Sequence, residues 1–318
     1  MRVLFAGTGD IGIPSLLSLI GSHDLAGVLT QPDRPAGRHR TLKAPAIKEA
    51  LLAAAPSVPL IQPESPRDPE VLPWVRALAP EVIVTMAYGR ILPKDLLEAP
   101  PIACLNIHAS LLPRHRGASP IQACLLAGDR ETGVTIMHMA EGLDTGDMIL
   151  TRTIPVRRRE TAGSLSDRLA ELAPAALDEA LGLLASGSAP RIPQDHASAT
   201  VCGKIDRSLT LLDWSLGARE LERKIRAFQP RPGAVAALPM ATGGDVILKV
   251  HSAIVLSKVS GPAGRILRSD ERGIVVGCGE GSLLLGWVQP EGGARMRSPA
   301  FARGRSLAAG WSGGFPFA

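Results

Sequence analysis

Aromatic residues are scarce: Phe, Trp and Tyr make up 3% of the 318 residues, and Tyr88 is the single tyrosine. With so few rings, base stacking gives way to phosphate contacts in any nucleic-acid recognition by this chain. Cysteine is also rare. Cys104, Cys124, Cys202 and Cys278 lie far apart without a CxxC pair, which argues against a zinc ribbon or dithiol redox centre and leaves buried thiols. No apolar run reaches the ~20 residues that a membrane helix needs. The strand-like opening, Arg2 to Ala6, lacks the charged start and cleavage site of a signal peptide. A cytoplasmic protein without a membrane partner is expected.

The hydrophobic fraction of 45% in a chain of this length supplies core for two domains. Net charge is +5, unevenly spread: residues 201–318 hold 16 Lys and Arg against 9 Asp and Glu, which is +7 and leaves −2 for residues 1–200. A basic excess confined to one end suits a polyanion such as RNA, and equally suits solubility.

VLFAG followed by GTGDIG, the apolar face Leu16, Leu17, Leu19 and Ile20, and then LAGVLT read as a βαβ opening. Gly7, Gly9 and Gly12 satisfy GxGxxG, but Asp33 follows Gln31 and Pro32 in a loop, away from a strand end where it could hold a ribose. The motif is therefore read as a tight strand-to-helix turn, and no NAD is expected. The segment QPDRPAGRHRTLKAP has no apolar periodicity and reads as an exposed basic loop. A helix over 68–78, a strand over 81–86, a helix starting at Pro120 with Ser119 as its cap, and a strand through Val134, Ile136 and His138 continue the α/β alternation of a parallel sheet.

A long amphipathic helix over 163–184 closes the first domain, residues 1–187. Residues 188–207 are rich in Pro, Ser and Ala and read as a linker. Residues 208–318 form the C-terminal domain: a short helix capped by Ser215, then short β-like runs broken by Gly, Pro and Asp, the texture of a small antiparallel barrel.

The densest polar cluster lies between Cys104 and Leu150. Alternation along Cys104 to His108 puts Asn106 and His108 on the same face of a strand. An amide beside an imidazole suits a carbonyl oxygen that becomes negative in the transition state, the amide stabilising charge and the imidazole moving a proton. Asp144, between Gly142 and Gly146 in GLDTGD, can approach closely as a third member. Each also has a structural reading: a turn amide, a core imidazole, a local backbone cap. A metal reading with His115 and His138 fits no familiar spacing, so none is expected.

Asn106, His108 and the distant Asp144, with Ser110 to Pro113, Arg116, Gly117, Pro120 to Gln122 and the whole GLDTGD segment, resemble the N10-formyltetrahydrofolate-dependent formyltransferase family. QPDRPAGR (31–38), AYGRILP (87–93), LDWS and RKIRAFQPRPGA are similar to segments of the branch whose acceptor is initiator methionyl-tRNA. The resemblance covers most of the chain. It implies a Rossmann-like parallel-sheet formyltransferase domain followed by an OB-like β-barrel that binds tRNA. It also implies transfer of a formyl group from 10-formyltetrahydrofolate to the amine of methionyl-tRNA, with Asn106, His108 and Asp144 catalytic; because an adjacent carboxylate raises a histidine pKa, His108 is expected to be charged. By the same resemblance, Tyr88, Gly89, Arg90, Ile91, Leu92, Ser110, Leu111, Leu112, Pro113, Gly142 and Leu143 line the folate pocket. Arg34, Arg38, Arg40 and Lys43 contact the tRNA. His39, His115 and Arg231 depart from the family pattern. A monomer without metal is expected. Formyl transfer to a purine precursor or nucleotide sugar, hydrolysis of the formyl-folate, and RNA binding without turnover are the alternatives weighed against it.

Overall fold

Val3, Leu4, Phe5 and Ala6 form an unbroken apolar run, and in the computed structural model all four are fully buried in strand β1 (Arg2–Gly7). A strand buried on both faces belongs inside a parallel sheet. The structure describes residues 1–36, 41–303 and 307. Two compact units emerge: residues 1–120, 130–156 and 166–203, and residues 121–129, 157–165 and 204–318. Among the described residues no helix is long and apolar enough to cross a membrane.

In chain order the elements up to residue 202 are β1, α1 (Ile13–Ser22), β2 (Asp24–Leu29), β3 (Arg34–Ala36), β4 (Thr41–Lys43), α2 (Ala46–Ala54), β5 (Leu60–Ile61), α3 (Val71–Leu78), β6 (Val82–Met86), α4 (Lys94–Leu97), β7 (Ala103–His108), β8 (Arg116–Gly117), α5 (Pro120–Ala127), β9 (Glu131–His138), β10 (Met148–Pro155), α6 (Ala162–Ala185) and β11 (Val201–Cys202). The main sheet runs β10-β9-β7-β6-β1-β2-β5. Neighbours from β5 to β7 are parallel, whereas β9 is antiparallel to β7 and to β10. From Leu150 to Pro155 strand β10 alternates half-buried and exposed positions, as expected where one face meets solvent. This is the mixed α/β architecture expected for the first domain.

Strand order departs in opposite directions on the two sides of β1, toward β2 and toward β6. In open α/β sheets ligands bind in the crevice at such a switch point. Here the loops after β1 and β6 meet: the Thr8 hydroxyl donates to the Tyr88 carbonyl at 3.0 Å. GxGxxG occupies the turn into α1, as read from the sequence. The Asp33 carboxylate accepts from Gln62 Nε2 at 2.8 Å and Lys48 Nζ at 2.9 Å, bonds that hold it below its ordinary pKa.

Two local expectations change. The basic segment read as an irregular loop contains a hairpin, with β3 antiparallel to β4 and Arg34 opposite Lys43. Its composition hid this because a three-residue strand offers no period to detect. The stretch read as a linker contains β11, parallel to β8, and Ile192, which bridges Met148. Prolines disfavour a long α-helix there, but they do not exclude docking.

The second unit continues with α7 (Ala218–Ala227), β12 (Ala234–Pro239), β13 (Asp245–Val250), β14 (Ala253–Leu256), β15 (Ile266–Asp270), β16 (Gly273–Gly277), β17 (Ser282–Leu285), β18 (Trp287–Pro290), β19 (Met296–Arg297) and α8 (Ser298–Arg303). Two four-stranded sheets, β12-β13-β18-β19 and β14-β17-β16-β15, share one core that includes Leu238, Leu248, Ile274, Leu283 and Val288. This all-β arrangement agrees with the barrel texture read from the sequence. Helix α7 buries Leu221 and Ile225, exposes Arg219 and Glu220, and leaves Glu222, Arg223, Lys224 and Arg226 half-buried. Its cap is Gly217 and not Ser215, whose hydroxyl donates to Asp213 at 2.7 Å.

Candidate active site

Strand β7 delivers Asn106 and His108 from adjacent same-face positions, and both turn toward Asp144. Asn106 Nδ2 donates to Asp144 Oδ1 at 3.2 Å, and His108 Nδ1 lies 3.6 Å from Asp144 Oδ2. Strand register places Thr85 of β6 beside Asn106, where its hydroxyl donates to Asn106 Oδ1 at 2.8 Å. That bond orients the amide with its nitrogen toward the carboxylate. The ring of His108 is fixed from the other side by Nε2, which lies 2.9 Å from the His115 carbonyl. A carbonyl only accepts, so Nε2 carries the proton, and a neutral ring then has its lone pair on Nδ1.

Charge on this histidine departs from expectation. Burial pushes the His108 pKa below the ordinary imidazole range, and Asp144 opposes that shift without overcoming it. Removing an imidazolium from water is costly, and a carboxylate 3.6 Å away returns only part of that solvation. The resting imidazole is therefore neutral near pH 7.

Asp144 has φ +51, in the left-handed region. Ala87 at the start of the AYGRILP loop and His115, whose carbonyl holds His108, also have positive φ; of the four such non-glycine residues described, only Ala79 is elsewhere, ending α3. Strain of about 1–3 kcal/mol per residue persists only where surrounding bonds over-determine it, and such residues cluster at functional sites. Those bonds are present: the Gly117 N–H donates to Asp144 Oδ2 at 2.8 Å, and Gln194 Nε2 donates to the Asp144 carbonyl at 2.9 Å. Gly146 completes the turn, because a Cβ there would stand 1.9 Å from the His138 carbonyl oxygen. Gly146→Ala is expected to cost ~1–3 kcal/mol of stability by forced backbone movement and to displace Asp144. Thermal unfolding and turnover, measured together, should both fall; a variant with native Tm and native turnover would show that the loop has slack.

The residues read as pocket lining divide into two groups. Tyr88 and Leu92 are buried in a core cluster with Leu4 and Val71. The Tyr88 carbonyl also accepts from Gln31 Nε2 at 2.7 Å, while burial pushes its phenol up to about 12. Gly89 and Arg90 are exposed, as is Ile91 at 68%. Ser110 is fully buried and donates to the Arg114 carbonyl at 2.7 Å; Leu111 and Pro113 are half-buried and Leu112 is buried. Gly142 is exposed, and Leu143 is 53% exposed. Open apolar side chains on the loops after β6 and β9 are what an apolar ring system would cover.

Arg34 pairs with Glu64, Lys43 is exposed, and Arg38 and Arg40 lie outside the described residues. His115 contributes its backbone, and His138 is buried with its pKa lowered by that burial. Among the described residues no three His, Cys, Asp or Glu side chains gather as a metal site. Sequence reasoning did not find Thr85, the His115 carbonyl or Gln194. Thr85 carried no signal until strand order set it beside Asn106, and Gln194 lay in a stretch read by composition alone. In the second unit, Trp287 was also missed: the guanidiniums of Arg295 and Arg297 lie over its ring, 5.1 and 4.8 Å from the centroid.

A formyl transferase family model matches residues 1–181, and a formyl transferase C-terminal domain model matches 204–306. A methionyl-tRNA formyltransferase from Akkermansia muciniphila is 43% identical over 93% of this chain and 94% of its own length. Among solved structures, HypX from Aquifex aeolicus in complex with tetrahydrofolic acid has a TM-score of 0.62 at 18% identity, covering 95% of this chain and 46% of HypX. An N-formyltransferase from Helicobacter canadensis, in complex with folinic acid and dTDP-3-aminofucose, has a TM-score of 0.64 at 15% identity, covering 90% and 98%. Those two likenesses concern the fold. With family models matching both halves and a full-length methionyl-tRNA formyltransferase relative at 43% identity, the chain belongs to the formyl transferase family.

Proposed function

We propose that the protein transfers the formyl group of 10-formyltetrahydrofolate to the α-amine of initiator methionyl-tRNA, as a cytoplasmic monomer. Residues 1–187 would form the catalytic domain and 208–318 the tRNA-binding domain, joined by 188–207. The observation that carries the chemistry is the convergence of Asn106 Nδ2 and His108 Nδ1 on one carboxylate. The donor would lie along residues 88–92, 110–113 and 142–143. Arg34, Arg38, Arg40 and Lys43 would meet the acceptor end of the tRNA.

The free amine attacks the formyl carbon, forming a C–N bond while the carbonyl oxygen takes the electron pair. Asn106 Nδ2–H donates to that oxyanion. Because His108 rests neutral with its lone pair on Nδ1, it accepts the proton of the attacking amine. The imidazolium so formed is stabilised by Asp144 and returns the proton to N10 as the N10–carbon bond breaks. A charged resting histidine could not take that proton.

The test offers purified protein and formyl-folate three acceptors: methionyl-tRNA, a dTDP-amino sugar and water. Formylation of the sugar in preference to methionyl-tRNA would favour the second reading, suggested by the Helicobacter canadensis fold likeness. The sign of the pH dependence follows from His108. Its active form is neutral and its pKa is lowered, so kcat should be flat through pH 7 and fall only on acidification below the ordinary value of 6.5. Asp144→Asn removes the group that raises this pKa, so the acid limb should move lower still. Single-turnover rates between pH 4.5 and 8 check both; a rate that falls as pH rises toward 8 would return the charged-histidine mechanism.

A further inference from the structure

The Asp144 turn is held from outside by a side chain with no place in the chemistry above. Gln194 Nε2 donates to two carbonyls of that turn, Asp144 at 2.9 Å and Gly146 at 2.8 Å. Its Oε1 accepts from Arg116 Nε at 2.9 Å and Nη2 at 2.6 Å. Gln194 and Arg116 are both 6% exposed. We infer that Gln194 is a positioning residue for formyl transfer, a bridge that transmits the fixed location of the Arg116 guanidinium to the left-handed turn carrying Asp144.

The bridge has one possible orientation. A guanidinium has donors only, so the glutamine oxygen must face Arg116 and its NH2 must face the turn. Both amide protons and both oxygen lone pairs are then used, and the charged donor polarises the amide so that each bond reinforces the others. Arg116 itself is anchored. Its Nη1 lies 3.1 Å from His196 Nδ1, and its backbone N–H donates to the Thr200 carbonyl at 2.8 Å within the β8–β11 pairing. Gln194 is tied on both sides, by the Ile192–Met148 bridge before it and by β11 after it. The neighbouring residue of β8, Gly117, donates to Asp144 Oδ2. Arg116 and Gly117 of β8, with Gln194 in the stretch that leads into β11, therefore fix the backbone and the carboxylate of Asp144, and the stretch that composition reads as a linker completes the site.

Gln194→Glu separates this role from simple packing. Glutamate keeps the size and the contact with Arg116 but offers the turn no donor, and sets carboxylate oxygen against two carbonyls. The proposal rests on the reading of Asp144 as catalytic, so the experiment is a double-mutant cycle with Asp144→Asn, read by single-turnover formyl transfer to methionyl-tRNA. Gln194→Glu should lower the rate about tenfold with Tm and the KM for methionyl-tRNA little changed, and should add nothing on the Asp144→Asn background. By NMR, the His108 imidazole should titrate at lower pH in Gln194→Glu than in the native chain, because the carboxylate that opposes burial has moved away. Gln194→Asn, too short to span both partners, should behave like the glutamate, and Gln194→His should not rescue. Native rate and native His108 titration in Gln194→Glu would overturn the inference, as would a loss that merely tracks a fallen Tm or adds in full to Asp144→Asn. Undiminished transfer by Asp144→Asn itself would instead overturn the catalytic reading, whatever Gln194 does.

Discussion

Formyl transfer should fall by at least ~100-fold in each of Asn106→Ala, His108→Ala and Asp144→Ala, the scale for a lost oxyanion donor or proton-transfer group. The three losses have different causes. Asn106 supplies the donor aimed at the oxyanion, and Thr85 holds that donor in place. His108 carries the proton from the attacking amine to N10, so its removal leaves both proton transfers without a carrier. Asp144 stabilises the imidazolium, and its loss should lower kcat while leaving the folate dissociation constant nearly native. Because the three groups act on one another, the effects should not add: a triple variant should be little worse than the worst single one. Folding is controlled by formyl-folate binding and thermal unfolding. Near-native turnover in any two single variants, with native Tm, would remove the catalytic assignment.

The second large effect concerns tRNA. Residues 201–318 carry the basic excess of +7, and within them Arg295 and Arg297 are exposed and lie over Trp287. Stacking on an indole restrains a guanidinium without consuming its N–H donors, leaving them for phosphate. The double variant Arg295→Ala/Arg297→Ala should bind tRNA more weakly and with a shallower salt dependence. Each phosphate contact contributes ~0.7–0.9 to the logarithmic slope, so two lost contacts narrow the gap between native and variant affinity by about tenfold between ~50 and ~200 mM salt. Formyl-folate binding should not change. Parallel titrations of both proteins at four salt concentrations provide the measurement. Parallel lines would mean that these arginines meet no phosphate, and would reduce the basic excess to a solubility feature.

The amino-acid sequence alone was enough for the α/β class, the apolar strands, the amphipathic helices and the three residues that meet at Asp144. The strands were legible because burial on both faces forces continuous apolar runs, as in Val3 to Ala6, and the helices because a buried stripe recurs with helical period. Asn106 and His108 were legible as a pair because alternation in a strand is strictly local. Asp144 stood out through its glycines, and Gly146 is indeed required by the His138 carbonyl beside it.

Tertiary structure alone decided how those groups behave. The protonation of His108 depends on how much water surrounds it and on the His115 carbonyl, and neither is a property of neighbouring letters. Thr85 became part of the site through strand order, 21 residues from Asn106 in sequence and adjacent in the sheet. Gln194 lies in a segment whose prolines and small residues say only that it is extended. Where an extended segment docks is determined by its hydrogen-bond partners, and these are brought within reach only when the sheet has formed.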